Sequence, residues 1–413
     1  MNVKAAGEAH PSRLPQTIVL LGLTSLFTDV GTEMIFPLLP VFLTETLRAG
    51  PGYLGLVEGA ADAVSSLLKL ASGALADRLP RRKPMVLLGY GLASVVRPFV
   101  AVATKPWHAL AVRVADRVGK GIRSSPRDAL IADAAGDRAG RAFGFHQAMD
   151  NAGAVIGPLL ATALMAAHWS IRNVFWIAAI PGAVATTLVA LVREPERPAR
   201  SGTTSARADL DRAPAAPKGG ASPLADRRLL LYFGVLALFS LGNSSDAFLL
   251  LRARTLGLPT AEVPVLWSVL NLSKVVCAYM GGDWADRLPR ARLIAGGWIV
   301  FAFVYAGLGI AVAAWQVWAL FVVYGLFYGL TEPVEKALVK DLVREQQRGR
   351  AYGAFNFVVG VTALPAGLLT GALWRSFGPA IALGTGAALA AVASMLLLTW
   401  DAWRMGAASE ARR

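Results

Sequence analysis

Twelve apolar runs, each about long enough to cross a bilayer, follow one another along the chain and leave little room for any other architecture. They fall at roughly 16–44, 53–76, 84–103, 107–132, 141–166, 171–192, 229–252, 262–284, 291–313, 315–340, 350–372 and 378–402. A helix needs about 20 apolar residues to span the hydrocarbon core. Length alone would suggest two or three soluble domains, but only 16% of residues are charged and the mean hydropathy is +0.50, against about 25% charge in soluble proteins. The fold class that follows is an all-α membrane protein with twelve transmembrane helices. The net charge of +14 would point to nucleic acid in a soluble chain. Here the basic residues sit between the apolar runs, with no zinc-ligand spacing and no aromatic-basic signature, so a lipid bilayer and not nucleic acid is the expected partner.

Loop charge sets the orientation. RLPRRK (78–83), the segment 193–228, RLPRAR (287–292) and REQQRGR (344–350) are basic and fall on one side if the helices alternate. The positive-inside rule then predicts a multi-pass protein of the cytoplasmic membrane with both termini cytoplasmic. Residues 1–13 are polar and predict no cleaved signal peptide. Trp107, Trp169, Trp315, Trp374 and Trp400 fall near segment ends, where interface anchors are expected. The one cysteine, Cys277, lies in an apolar run and predicts neither a disulfide nor a metal site. No cofactor, metal or catalytic constellation appears; GKGIRSSPRD lacks the glycine and lysine spacing of a phosphate loop.

The chain also repeats itself. Gly73-Ala-Leu-Ala-Asp77-Arg78-Leu-Pro80-Arg81 returns 209 positions later as Gly282-Asp-Trp-Ala-Asp286-Arg287-Leu-Pro289-Arg290. Gly140-Arg141-Ala-Phe-Gly144 returns at the same offset as Gly349-Arg350-Ala-Tyr-Gly353. Between the copies, 193–228 is rich in Pro, Gly, Ser and Ala, the composition of a flexible linker. The expected organisation is a six-helix bundle over 1–192, a cytoplasmic linker over 193–228 and a second six-helix bundle over 229–413, the two being pseudo-symmetric. Repeated halves with a site between them near the midplane are a construction rule of secondary transporters.

With these residues in hand, the chain resembles the major facilitator superfamily over nearly its whole length. GALADRLPRRK is similar to that family's loop motif G-x-L-x-D-R-x-G-R-[RK], with Pro80 in place of the second glycine. The resemblance implies gating by Gly73, Asp77, Arg78 and Arg81 and, in the second copy, by Asp286, Arg287 and Arg290, each aspartate lying near a helix start of the other half. It also implies that helices 1, 4, 7 and 10 line a central cavity. Gly153-x-x-x-Gly157-Pro158 resembles the G-x-x-x-G-P motif of the family's antiporters, or simply packs helices closely.

Ionisable groups in spanning segments cost about 2.5–3.5 kcal/mol each, so they are functional candidates. Asp29 and Glu33 share a face of the first helix, and Glu58, Asp62 and Lys69 share one of the second. The fourth carries Arg113, Asp116, Arg117, Lys120, Arg123 and Arg127 in one stripe. Proton coupling is expected of Asp29, Glu33, Glu58, Asp62, Arg113, Asp116 and Arg117, although a purely structural salt-bridge network among them is the competing reading. Substrate contacts are expected from Lys120, Arg123, Asn243, Ser244, Asp246, Trp267, Asn271 and Tyr328. The functional expectation is a monomeric secondary active transporter, not an enzyme, that moves a small solute by alternating access, most simply as a proton-coupled efflux antiporter. The alternatives are a proton-coupled importer of an anionic metabolite and a non-transporting sensor or lipid-handling relative.

Overall fold

The computed structural model describes residues 14–76, 79, 81–135, 139–194, 227–343 and 348–410. These residues form twelve long helices: α1 (Gln16–Thr46), α2 (Pro51–Ala76), α3 (Lys83–Val102), α4 (Pro106–Ala135), α5 (Ala139–Ala166), α6 (Ile171–Leu191), α7 (Arg227–Thr255), α8 (Val263–Arg287), α9 (Arg290–Ile310), α10 (Ala314–Leu342), α11 (Arg348–Phe377) and α12 (Pro379–Glu410). The twelve apolar runs thus become the twelve helices, with the largest boundary differences at the ends of α11 and α12. Of the segment expected to be a linker, 195–226 lies outside the described residues.

Several helices change geometry along their length, and the sequence supplies the causes. Pro37 and Pro40 remove donors from the α1 ladder, which passes through a 3₁₀ turn (Phe36–Leu38) and ends in a wide turn (Phe42–Thr46). Pro98 likewise tightens the end of α3 into a 3₁₀ segment, Arg97–Val102. In the middle of α7 the helix stops at Gly242 and restarts at Ala247. The intervening Asn243, Ser244, Ser245 and Asp246 are residues whose short polar side chains compete with the helix for backbone groups.

Packing repeats between the halves. In the first, α1 lies on α5 and α6, α2 on α4, and α3 on α4 and α6; in the second, α7 lies on α11 and α12, α8 on α10, and α9 on α10 and α12. The halves meet through α2 against α11 and α5 against α8. By length and composition, nine of the helices are apolar enough to cross a membrane among the described residues, α2, α4 and α8 being the others. For α2 and α4 the reason is their inward-facing charge. Trp107, Trp169 and Trp315 are exposed as interface anchors should be, but Trp374 and Trp400 are not. Trp374 packs on Phe248, and Trp400 packs on Tyr232 while donating to the Arg228 carbonyl, so these two are core residues.

The face where the chain starts and ends is here called the terminal face, and the opposite one the distal face. One continuous apolar core joins both halves at the distal face, from Phe42, Leu43 and Leu54 to Leu249, Leu250 and Trp374, and runs on through the second half to Leu229 and Leu397. At the terminal face the first half has a separate core around Leu21, Val86, Tyr90 and Ile131. The distal face is also closed by backbone contact. A side chain at Gly55 would overlap the Gly367 carbonyl, and one at Gly367 the Gly55 carbonyl. Beside them Arg254 of α7 pairs with Glu45 of α1 at 2.7 Å. The halves are therefore joined at the distal face and parted towards the terminal face.

Candidate functional site

The first wall of the space between the halves is built by α1, α2 and α4. Steps of three and four along α4 put its charges on one stripe, and the register of the neighbouring helices decides which acid each charge meets. Arg113 forms a two-pronged pair with Glu58 of α2, at 3.0 and 2.9 Å. Arg97 of α3 grips Asp116 through Nε and Nη2, at 3.2 and 2.8 Å. All four residues are buried, where an isolated charge would be expensive and a doubly bonded pair is tolerated. Arg117 approaches Asp62 more loosely, at 3.8 Å, and its Nε has no hydrogen-bond partner among the described residues. Behind α1, the small face of α5 lets the helices close: side chains at Gly153 and Gly157 would lie 2.5 Å from the carbonyl oxygens of Leu26 and Val30. The glycine motif of α5 thus serves close packing beside Asp29 and Glu33.

Two connected chambers of about 470 and 560 Å³ occupy the space. The first, at mid-depth, lies between both walls and is lined by Glu33, Phe36, Asp62, Arg117, Trp267 and Asp246, among others. The second lies towards the terminal face, among Ser25, Gly73, Ser125, Asp150 and Gly353. Asp29, Lys69, Lys120 and Arg123 line both chambers and so form the neck between them. None of these four makes an ion pair within 4 Å among the described residues. Arg123 instead lies over the Tyr90 ring, 4.4 Å from its centre. Lys120 is within electrostatic reach of Asp29, Lys69, Arg117 and Arg123.

The second wall is made by α7, α8 and α10 and is largely aromatic. The unwound residues of α7 face the first chamber. Asp246, at the end of that break, accepts hydrogen bonds from Tyr324 at 3.0 Å and Tyr328 at 2.7 Å and has the Lys274 ammonium at 3.6 Å. That ammonium also stands 3.7 Å from the centre of the Tyr328 ring and 4.9 Å from that of Trp267, a geometry in which the ring faces attract the cation. Tyr305 donates to the carbonyl of Ser244, while the buried Ser244 hydroxyl has no partner among the described residues. Inside the chamber a bond crosses from the second wall to the first: Trp267 Nε1 donates to Glu33 Oε2 at 2.6 Å.

Measured against the sequence expectations, the structure brings Asp29, Glu33, Glu58, Asp62, Asp116, Arg117, Lys120, Arg123, Asn243, Ser244, Asp246, Trp267 and Tyr328 to the first chamber. Arg113 stands behind the wall, its guanidinium 5.2 Å from the centre of the Phe36 ring. Asn271 lines neither chamber and donates to the Ala154 carbonyl of α5, so its role here is to bond the halves together. The sequence leaves open which acid meets which arginine; the structure sets Arg113 against Glu58 and Arg117 against Asp62, and among the described residues Asp29 and Glu33 pair with neither. Lys274, Tyr324 and Arg97 were not anticipated as site residues; an intramembrane lysine on α8 was the available signal for the first. Of the gating set, Gly73 packs beside Ser125, Arg81 is exposed, and Arg290 bonds Asp341 and the Ala337 carbonyl. Asp77 and Arg78 lie outside the described residues, as do the side chains of Asp286 and Arg287.

Comparison with known proteins places this geometry. The family model described as Major Facilitator Superfamily matches residues 21–364. The MFS-type transporter MJ1317 of Methanocaldococcus jannaschii is 31% identical over 392 residues, covering 93% of this chain and 95% of its own. Multidrug resistance protein MdtH of Cronobacter sakazakii is 24% identical over 336 residues, covering 80% and 79%. Among solved structures, the nucleoside transporter NupG superposes with a TM-score of 0.75 at 11% identity, covering 94% of this chain and 99% of that one. The match to the family model over most of its length, together with a near full-length relative, shows that the chain belongs to the Major Facilitator Superfamily of membrane transporters.

Proposed function

We propose that this protein is a secondary active transporter that carries a small solute across the cytoplasmic membrane by alternating access, coupled to protons. The observation that carries the coupling is Asp29: a carboxylate in a spanning helix, lining both chambers, with no bonded partner among the described residues. A lone carboxylate at that depth can take a proton in one state and release it in another, whereas Glu58 and Asp116 are committed to arginines. The basic loops assign the terminal face to the cytoplasm. On that assignment the molecule is drawn facing the cytoplasm, its outer side sealed by the distal core and the Glu45–Arg254 pair. Alternating access would then consist of opening the Gly55–Gly367 contact while the terminal face closes around the Asp77 and Asp286 loops.

Two directions are open to such a device. Resemblance to proteins named multidrug resistance protein MdtH supports export of a solute. A specific observation favours the second, uptake of an anionic solute with protons: Lys69, Lys120 and Arg123 have no acid bonded to them in the neck. The test is the full chain in proteoliposomes with an imposed pH gradient, an internal pH dye, and either ethidium or phenyl phosphate as the probe. Gradient-driven movement of one probe, lost in Asp29→Asn, is the expected result. Full coupling in Asp29→Asn, Glu33→Gln and the double variant would remove Asp29 from the mechanism and leave both acids structural.

A further inference from the structure

The transport reading leaves the nature of the solute open, and the neck between the chambers narrows it. Within the first wall, each of Arg97, Arg113 and Arg117 has an acid beside it, so these contribute little net field. Lys274 is likewise offset by Asp246. What remains at the neck is Lys69 from α2 and Lys120 and Arg123 from α4, facing Asp29, with Glu33 on the first chamber and Asp150 on the second beside it. Ser125 donates to the Lys69 carbonyl at 2.9 Å, and Ser72 to the Gly121 carbonyl at 2.7 Å, locking α2 to α4 at this level. Arg123 is buried, with one weak bond to the Gly89 carbonyl at 3.5 Å and the Tyr90 ring beneath it. Three cations lining one neck, with no acid bonded to any of them among the described residues, repel one another. A bound anion would relieve that repulsion.

We propose, resting on the transporter reading above, that the neck is a binding site for the doubly negative end of a small organic anion, a phosphate monoester or a dicarboxylate. A doubly negative end offers these three cations, none bonded to an acid, twice the attraction of a singly charged one. The first chamber, lined by Phe36, Trp267 and Tyr328, receives the remainder of the molecule, and that wall suits a ring. Asp29 ties the anion to the proton. Facing it are Glu33 from its own helix, Lys69 from α2, Lys120 and Arg123 from α4, and Asp150 from α5; Asp150 is itself bonded by Ser25 and lies near His146. A proton on Asp29 removes the negative charge that lines both chambers beside these cations, so proton and anion favour each other's binding. That sign of coupling belongs to symport, and a cationic solute would give the opposite one.

The experiment is ligand-induced thermal stabilisation and calorimetric titration of the purified full chain in detergent, without any gradient. The probes are phenyl phosphate and phthalate as dianions, benzoate as a monoanion and phenyltrimethylammonium as a cation of similar size. Both dianions are expected to bind, benzoate about tenfold or more weakly, and the cation not at all. Lys120→Gln and Arg123→Gln should each weaken dianion binding about tenfold or more. Lys120→Arg should restore it, and Lys105→Gln, an exposed cation between α3 and α4, should leave it within about twofold. The proposal is overturned if the cation binds as well as the dianions, if neither dianion binds, or if Lys120→Gln elutes as a folded monodisperse species with unchanged dianion affinity. The ranking of the four probes on the wild-type chain decides the matter even where a variant fails to fold. Dianion binding without gradient-driven movement would count against the transport reading alone; movement of ethidium with no dianion binding would count against this inference alone.

Discussion

On the α2–α4 side of the cavity, Arg97, Arg113 and Arg117 each stand against an acid, while three further cations stand alone; on the α7–α10 side, one carboxylate is held by two phenols and an ammonium that also rests on aromatic faces. The halves repeat in helix pairing and in the ADRLPR loop, yet their inner surfaces have diverged. The first half handles charge by opposing it with charge, which makes each pair strong and each unmatched group conspicuous. The second handles charge with hydroxyls and rings, which tolerate small displacements. That difference suits a carrier in which one wall holds charged cargo and the other shapes itself around the uncharged part.

The largest expected effect breaks the first wall. Arg113→Leu strands the buried Glu58 carboxylate and should cost about 3–5 kcal/mol, whereas the double variant Arg113→Leu, Glu58→Leu should regain most of it. Thermal unfolding in detergent reads both; equal losses in the single and the double variant would show that the pair does not act as a unit. Next is the bond that joins the walls. Trp267→Phe keeps the ring but removes the donor to Glu33 and should cost about 1.5–3 kcal/mol. A double-mutant cycle with Glu33→Gln measures it, and zero coupling would mean that the walls are energetically separate. On the second wall, Tyr324→Phe should cost only about 1 kcal/mol, because Tyr328 and Lys274 still hold Asp246. A loss as great as that of Arg113→Leu would erase the contrast drawn here. Smallest is Glu45→Gln at the distal face, where the carboxylate is half-exposed: about 0.2–1 kcal/mol, diminishing with added salt.

The helix count and the charge stripe on α4 were legible because both rest on spacing within one segment. Which acid meets which arginine was not, because it depends on the register between helices: Glu58 and Asp62 of α2, and not the acids of α1, meet Arg113 and Arg117. The break in α7 left a readable trace in Gly242-Asn-Ser-Ser-Asp246, five weak helix formers in the middle of an apolar run. Their polar character was taken for substrate contact without the unwinding being inferred. Trp374 and Trp400 were misread because nearness to a segment end does not say whether a ring faces lipid or a neighbouring helix.

That break has a consequence for the empty carrier. Four residues interrupt the regular helix ladder at mid-depth against the first chamber, and the buried Ser244 hydroxyl there has no partner among the described residues. A buried polar group left unsatisfied costs about 1–3 kcal/mol. When no solute is bound, water held at this break would satisfy it, so a closing cavity would enclose a small droplet instead of collapsing. Each unloaded return would then ferry water across the bilayer, and osmotic swelling of vesicles under a pH gradient would register the idle strokes of the cycle as well as the productive ones.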